Sequence, residues 1–199
     1  KRPAPEKLTG GEIARQFLDA ADAQDIRIVE HNGMISDYFD PQRRCLFLSA
    51  QVLRSRSEAA WATALHQAAH ALQLRGMKTS LELRASNVKL TRYVPTIAAL
   101  LVLALGIMKR PPFPIGLKIL AVILFIVMLL NVMSLPIEFH AARLASAFLE
   151  RRLQRNEEAL ERLQVLLKAM AWRDTAVLLQ SPQYCVSAIL PVGGKLRPR

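Results

Sequence analysis

Two apolar runs separated by only a few residues constrain this chain more than any other feature. Residues 94–108 are uncharged and almost wholly apolar, Lys109-Arg110-Pro111-Pro112 interrupts them, and Ile115 to Ile137 is apolar except for Lys118, Asn131 and Ser134. A helix needs about 20 apolar residues to cross the hydrocarbon of a bilayer. The second run meets that length, and the first approaches it when Leu90 to Tyr93 extend it, with Arg92 and Tyr93 at the interface. The pattern predicts a transmembrane helical hairpin over residues 93–137, the alternative being a helical hairpin buried in a soluble core.

In a chain of 199 residues such a hairpin leaves material for one modest domain. The formal charge of +11 would suggest a nucleic-acid partner in a soluble protein. No basic patch interleaved with aromatic residues accompanies it, however, so nucleic acid is not expected as a partner. Membrane proteins gather Lys and Arg on the cytoplasmic side. Here Arg84, Lys89 and Arg92 precede the first run and Arg143, Arg151, Arg152 and Arg155 follow the second, against Lys109 and Arg110 in the loop and Lys118 just inside the span. The soluble part is therefore expected in the cytoplasm, with lipid around the hairpin. Cys45 and Cys185 have no disulfide or thiolate-site spacing and read as reduced thiols. The opening Lys-Arg-Pro-Ala-Pro shows no signal peptide, and a further upstream membrane helix is compatible with it.

Outside the hairpin the chain reads as mostly α with a small antiparallel β-sheet. Thr9 and Glu12 have capping-box spacing, and Ile13, Phe17, Leu18 and Ala21 recur on one face, which predicts a helix of about four turns from about residue 10. Ile26 to Val29 and Cys45 to Leu48 are strand-like, and His31-Asn32-Gly33 is turn chemistry between them. Ser57 is placed to cap a helix that reaches Leu74 and stops near Gly76. A charged amphipathic helix restarts at Asn156 and ends before Ser181-Pro182.

His66 and His70 lie four apart inside the helix after Ser57, so both imidazoles can face one ion. In H-E-x-x-H zinc peptidases this spacing supplies two ligands, and the Glu between them takes a proton from the attacking water. Taken alone, the pair is equally compatible with two unrelated core or surface histidines. Topology adds a third group. An antiparallel hairpin returns the chain to the side it left, which brings Glu138, just after the second span, toward the helix that precedes the first. A carboxylate there is costly unless it is wet, paired or coordinating. Two His and one Glu make the three-ligand open set of zinc hydrolases; the bland alternative is an ion pair between Glu138 and Arg143.

Leu8-Thr9-Gly10-Gly11-Glu12-Ile13-Ala14, Ser36-Asp37-Tyr38-Phe39-Asp40-Pro41, Leu48-Ser49, the His66 to Gln73 segment and Leu135 to Phe139 together resemble the neutral zinc metallopeptidases of bacterial membranes, the YugP-like peptidases. The likeness spans about Leu8 to Leu179. It implies a zincin-like membrane protein that hydrolyses peptide or protein substrates, with Zn2+ on His66, His70 and Glu138 and with position 67 as the general base. The corresponding division is 1–92 for the first part of the zincin-like domain, 93–137 for the hairpin, 138–181 for helices completing the metal site, and 182–199 for a flexible basic tail.

Three positions depart from the family pattern: Gln67 replaces the expected Glu, Tyr38 stands where His is usual, and His140 stands where Asp is usual. A carboxamide has nearly the shape of a carboxylate but cannot accept and return a proton, so hydrolysis should be severely impaired. The surviving ligands favour an introduced Glu-to-Gln change, whereas Tyr38 and His140 favour divergence toward a natural pseudopeptidase that binds or scaffolds. Asp37 and Asp40 are candidates to orient the ligating histidines, or simply turn residues before Pro41. His140 reads as an interfacial histidine, with a ligand or proton-carrying role as the alternative. His31 reads as a turn residue.

Overall fold

The computed structural model describes residues 2–32, 37–73, 76, 78–107 and 113–179. The expected tail at 182–199 and the hairpin loop at 109–112 lie outside the described residues. The elements run α1 (Gly10–Ala20), β1 (Arg27–His31), β2 (Tyr38–Asp40), β3 (Cys45–Ser49), α2 (Ala50–Arg54), α3 (Glu58–Gln73), α4 (Lys78–Ile107), α5 (Phe113–Arg152) and α6 (Glu157–Leu179). The protein is thus mostly helical, and the chain divides into two compact units, Lys1–Ala85 with Leu135–Trp172 and Ser86–Ser134 with Arg173–Arg199.

The first unit is built on local signals that act as their chemistry requires. The Thr9 hydroxyl accepts from the Glu12 backbone N–H at 3.3 Å and the Glu12 carboxylate accepts from the Thr9 N–H at 2.7 Å, a reciprocal cap on α1. That helix is 11 residues long, about three turns rather than four, because the backbone turns left-handed at Asp22 (φ 53°). Ser57 caps α3 through its hydroxyl on the Ala60 N–H, and Asn156 caps α6 through Ala159. Ile13, Phe17 and Leu18 of α1, Trp61 and Leu65 of α3, Ala141, Ala145 and Leu149 of α5, and Leu163 and Leu167 of α6 form one core with Leu46 and Leu48 of β3. Trp61 spends its indole N–H on the Leu8 carbonyl at 2.8 Å. Glu58, buried at the start of α3, is matched by Arg162 of α6 at 2.9 Å, and that hydrogen bond pushes the guanidinium pKa up.

The sheet corrects the expectation of an antiparallel arrangement. It is mixed, with order β1-β3-β2: β1 pairs parallel with β3, and β2 pairs antiparallel with β3. A tight turn lies at 41–44, where the Asp40 carboxylate accepts from the Gln42 and Arg43 N–H groups and Arg44 adopts φ 50°; of the expected turn at His31-Asn32-Gly33, His31 ends β1 and Gly33 lies outside the described residues. With β3 between them, β1 and β2 are not neighbours in the sheet. Alternation of side chains has period two in either direction, so it cannot distinguish the two pairings.

In the second unit, Val102 of α4 lies against Gly116 of α5, where an added Cβ would meet Val102 Cγ1 at 3.0 Å. Large apolar side chains on both helices are exposed, among them Ile97, Ile107, Phe125 and Met133. One described helical stretch, Ile115–Arg152, is long and apolar enough to cross a membrane; the apolar part of α4, Tyr93–Ile107, is shorter. At 40 residues α5 is about 60 Å long and therefore exceeds any bilayer core. Its final turns, from Leu135, belong to the first unit, and it is this helix that carries residue 138 into that unit's core. Pro136, which has no N–H to give to the carbonyl four residues back, stands beside the boundary between the units.

Candidate metal centre

Two helices build the site. On α3, His66 and His70 are one turn apart and face the same way, their rings edge to face with centroids 5.1 Å apart. On α5, Glu138 meets them: its Oε2 is 3.0 Å from His66 Nε2 and 3.4 Å from His70 Nε2. All three residues are buried, and their ligand atoms lie within 4.8 Å of one another. A carboxylate and two imidazoles brought together out of water lose solvation that a divalent cation restores. The donor set also fits zinc by size, because bonds of about 2.0–2.1 Å in a tetrahedral site put neighbouring ligand atoms about 3.3 Å apart.

The second layer differs from what the sequence suggested. His70 Nδ1 lies 2.8 Å from Gln73 Oε1, and the Gln73 amide donates to the Ile137 carbonyl at 2.8 Å and stands 3.0 Å from His140 Nδ1. Asp37 and Asp40 are elsewhere: the Asp37 carboxylate accepts from the Ser49 N–H, and Asp40 holds the turn that follows it. Both are turn and strand-end chemistry, since their short side chains sit where backbone N–H groups at the sheet need an acceptor. His140 is one residue layer behind the ligands, held through Gln73. His31 ends β1 with its ring tilted against Tyr38, which in turn stacks on Phe47 at 5.0 Å. Gln67 is buried in α3 directly after His66; its Oε1 and the Nδ1 of His66 have no hydrogen-bond partner among the described residues.

A family model described as "Putative neutral zinc metallopeptidase" matches residues 1–187. The chain belongs to this family. A Bacillus subtilis (strain 168) protein described as "Putative membrane protease YugP" is 32% identical over 161 residues, which cover 79% of this chain and 70% of that protein. No solved structure matches. The family description implies zinc, and the group formed by His66, His70 and Glu138 could hold a metal ion. Gln73 closes the His66 to Gln73 segment that carries the family resemblance, but its spacing also bears on the site. It follows His70 by three and His66 by seven, so all three residues fall on one stripe of α3.

Proposed function

We propose that this chain is the scaffold of a membrane zinc metallopeptidase whose turnover is blocked by Gln67. The reading rests on one observation above all, the buried convergence of His66 and His70 on one helix with Glu138 on another, 68 residues beyond His70 in sequence (138 − 70). In this proposal those three side chains hold Zn2+, which when bound supplies a Lewis acid for a peptide carbonyl and for water. The fold is zincin-like, with α4 and α5 as a transmembrane hairpin; the packing of Val102 on Gly116 and the exposed apolar side chains support the hairpin. Residues 1–92 and 138–181 then form the zincin-like domain on the cytoplasmic side, and substrates are peptides or proteins, including membrane-associated ones.

The protein's own groups have defined tasks in this scheme. Burial of all three ligands keeps bulk water from them, and the carboxylate of Glu138 would offset part of the cation's charge. Position 67 follows the first ligand on α3, where the family pattern has a carboxylate that takes a proton and returns it to the leaving amine. Gln67 can hydrogen-bond but cannot carry that proton. The amide therefore favours a second reading, a natural pseudopeptidase that captures polypeptide segments without cutting them.

Zinc content separates these readings from no metal role at all. Detergent-purified protein should retain about one zinc per chain, and Glu138→Ala should lose it. Restoring the base by Gln67→Glu should raise hydrolysis of a casein or peptide-library substrate by about 10²–10⁴-fold. A zinc-loaded Gln67→Glu protein that cuts nothing would leave the pseudopeptidase reading in place, and absence of zinc from the parent after reconstitution would reject the metallopeptidase reading and put the scaffold reading in the lead.

A further inference from the structure

We infer that Gln73 is a positioning residue of this site, one carboxamide that sets the tautomer of His70 and ties α3 to the α5 backbone next to Glu138. The inference rests on the metallopeptidase reading above but concerns a residue outside the ligand set. Gln73 is buried at the last position of α3, and both ends of its amide are engaged. Its Nε2 donates one hydrogen to the Ile137 carbonyl at 2.8 Å and approaches His140 Nδ1 at 3.0 Å; its Oε1 lies 2.8 Å from His70 Nδ1.

The Ile137 carbonyl decides which way round the amide sits. A carbonyl only accepts, so the group facing it must be the NH2; the reverse orientation would press two oxygens together at hydrogen-bond distance. With the NH2 committed to Ile137 and His140, the oxygen faces His70, and an oxygen there requires His70 to carry its proton on Nδ1. The lone pair of His70 is then on Nε2, the atom 3.4 Å from Glu138 Oε2. The same logic makes His140 the acceptor at Nδ1. A ligating histidine is commonly held this way by a group bonded to its other nitrogen.

The second consequence is geometric. Ile137 immediately precedes Glu138, so the same amide that orients one ligand from α3 also grips the backbone beside the ligand from α5. Gln73 thereby couples the azimuth of the His70 ring to the axial placement of Glu138. A Glu at 73 retains an oxygen for His70 but places another against the Ile137 carbonyl, and a Met retains the volume and loses both bonds.

The test uses full-length protein in detergent, with zinc affinity measured by competition against a chromophoric chelator. The His70 tautomer is read in metal-free protein by nitrogen-15 NMR of labelled imidazoles. Gln73→Met should weaken zinc binding about 10–100-fold and release His70 from the pure Nδ1–H form. His140→Ala, which leaves the bonds to His70 and Ile137 intact, should change affinity by less than about threefold, because those two bonds carry the effect. Gln73→Glu should keep the Nδ1–H tautomer while losing affinity, and it serves if Gln73→Met does not fold. Unchanged affinity and an unchanged tautomer in Gln73→Met would overturn the inference, as would an Nε2–H His70 in the parent. If the parent takes up no zinc, the metallopeptidase reading fails, and the tautomer measurement still decides the role of Gln73.

Discussion

Gly10 and Gly11 show how single residues hold the first unit in register. A Cβ on Gly10 would collide with the Val52 carbonyl oxygen and stand 3.1 Å from that of Ala60, and one on Gly11 would meet Leu53 Cδ1 at 2.6 Å. Backbone carbonyls in helices have little freedom to move aside, so Gly10→Ala should destabilise the protein by about 3 kcal/mol in thermal or denaturant unfolding. Gly76 is the control: nothing lies within 4 Å of the added Cβ, and Gly76→Ala should fall within about 0.5 kcal/mol of the parent. A Gly10→Ala protein as stable as the parent or more so would mean that helix propensity, which favours Ala over Gly, outweighs the packing at Gly10. At the site, Gln67 is the residue whose chemistry departs furthest from its surroundings. Its carboxamide oxygen is buried with no partner among the described residues, an arrangement that costs about 1–3 kcal/mol.

At the scale of elements, the cap of α1 links sequence to pH dependence. The Thr9 backbone N–H, and after it the Thr9 hydroxyl, hold the Glu12 carboxyl below the usual carboxylate range. A carboxylate with a depressed folded pKa contributes stability that is fully present above its unfolded pKa and is lost as pH falls through the folded value. The melting-temperature difference between parent and Glu12→Gln should therefore be constant from neutral pH down to about pH 5 and shrink in stronger acid. A difference independent of pH throughout would exclude the ionised cap as its source. Thr9→Ala, which removes the hydroxyl acceptor, should cost about 1 kcal/mol. The helices α3 and α5 divide the remaining labour: α3 carries two candidate ligands one turn apart, and α5 runs from the apolar stretch into the core to deliver the third.

For the whole molecule the proposed partition is between lipid and water. Apolar side chains stand exposed along α4 and α5, whereas the first unit closes its own core around Trp61 and Leu65. The protein should stay in the membrane fraction after alkaline carbonate washing and leave it only with detergent. The arginines flanking the two runs predict orientation: a fluorescent protein fused at the C-terminus should fluoresce, and alkaline phosphatase inserted after Lys109 should be active. The opposite pair of results would put the first unit outside the cytoplasm and overturn the proposed orientation.

What could be read from the sequence was local or periodic. The caps at Thr9 and Ser57, the helix that restarts at Asn156, the helical stripe that pairs His66 with His70, and the apolar run of α5 each depend on neighbours within a few residues, where spacing and chemistry suffice. The family likeness carried more, because residues scattered from Leu8 to Leu179 were matched together. What the sequence could not settle depends on distant pairing. The parallel partnership of β1 with β3 is invisible to a period of two, and the early end of α1 was set by a left-handed residue, Asp22, that propensity does not single out. Glu138 could be nominated by topology, but its approach to within 3.0 Å of His66 exists only because α5 packs on α3. Gln73 shares a stripe with the histidines, yet its significance comes from the Ile137 carbonyl on another helix. Hydrogen bonds between elements are decided by packing, and packing is a property of the assembled core rather than of any segment within it.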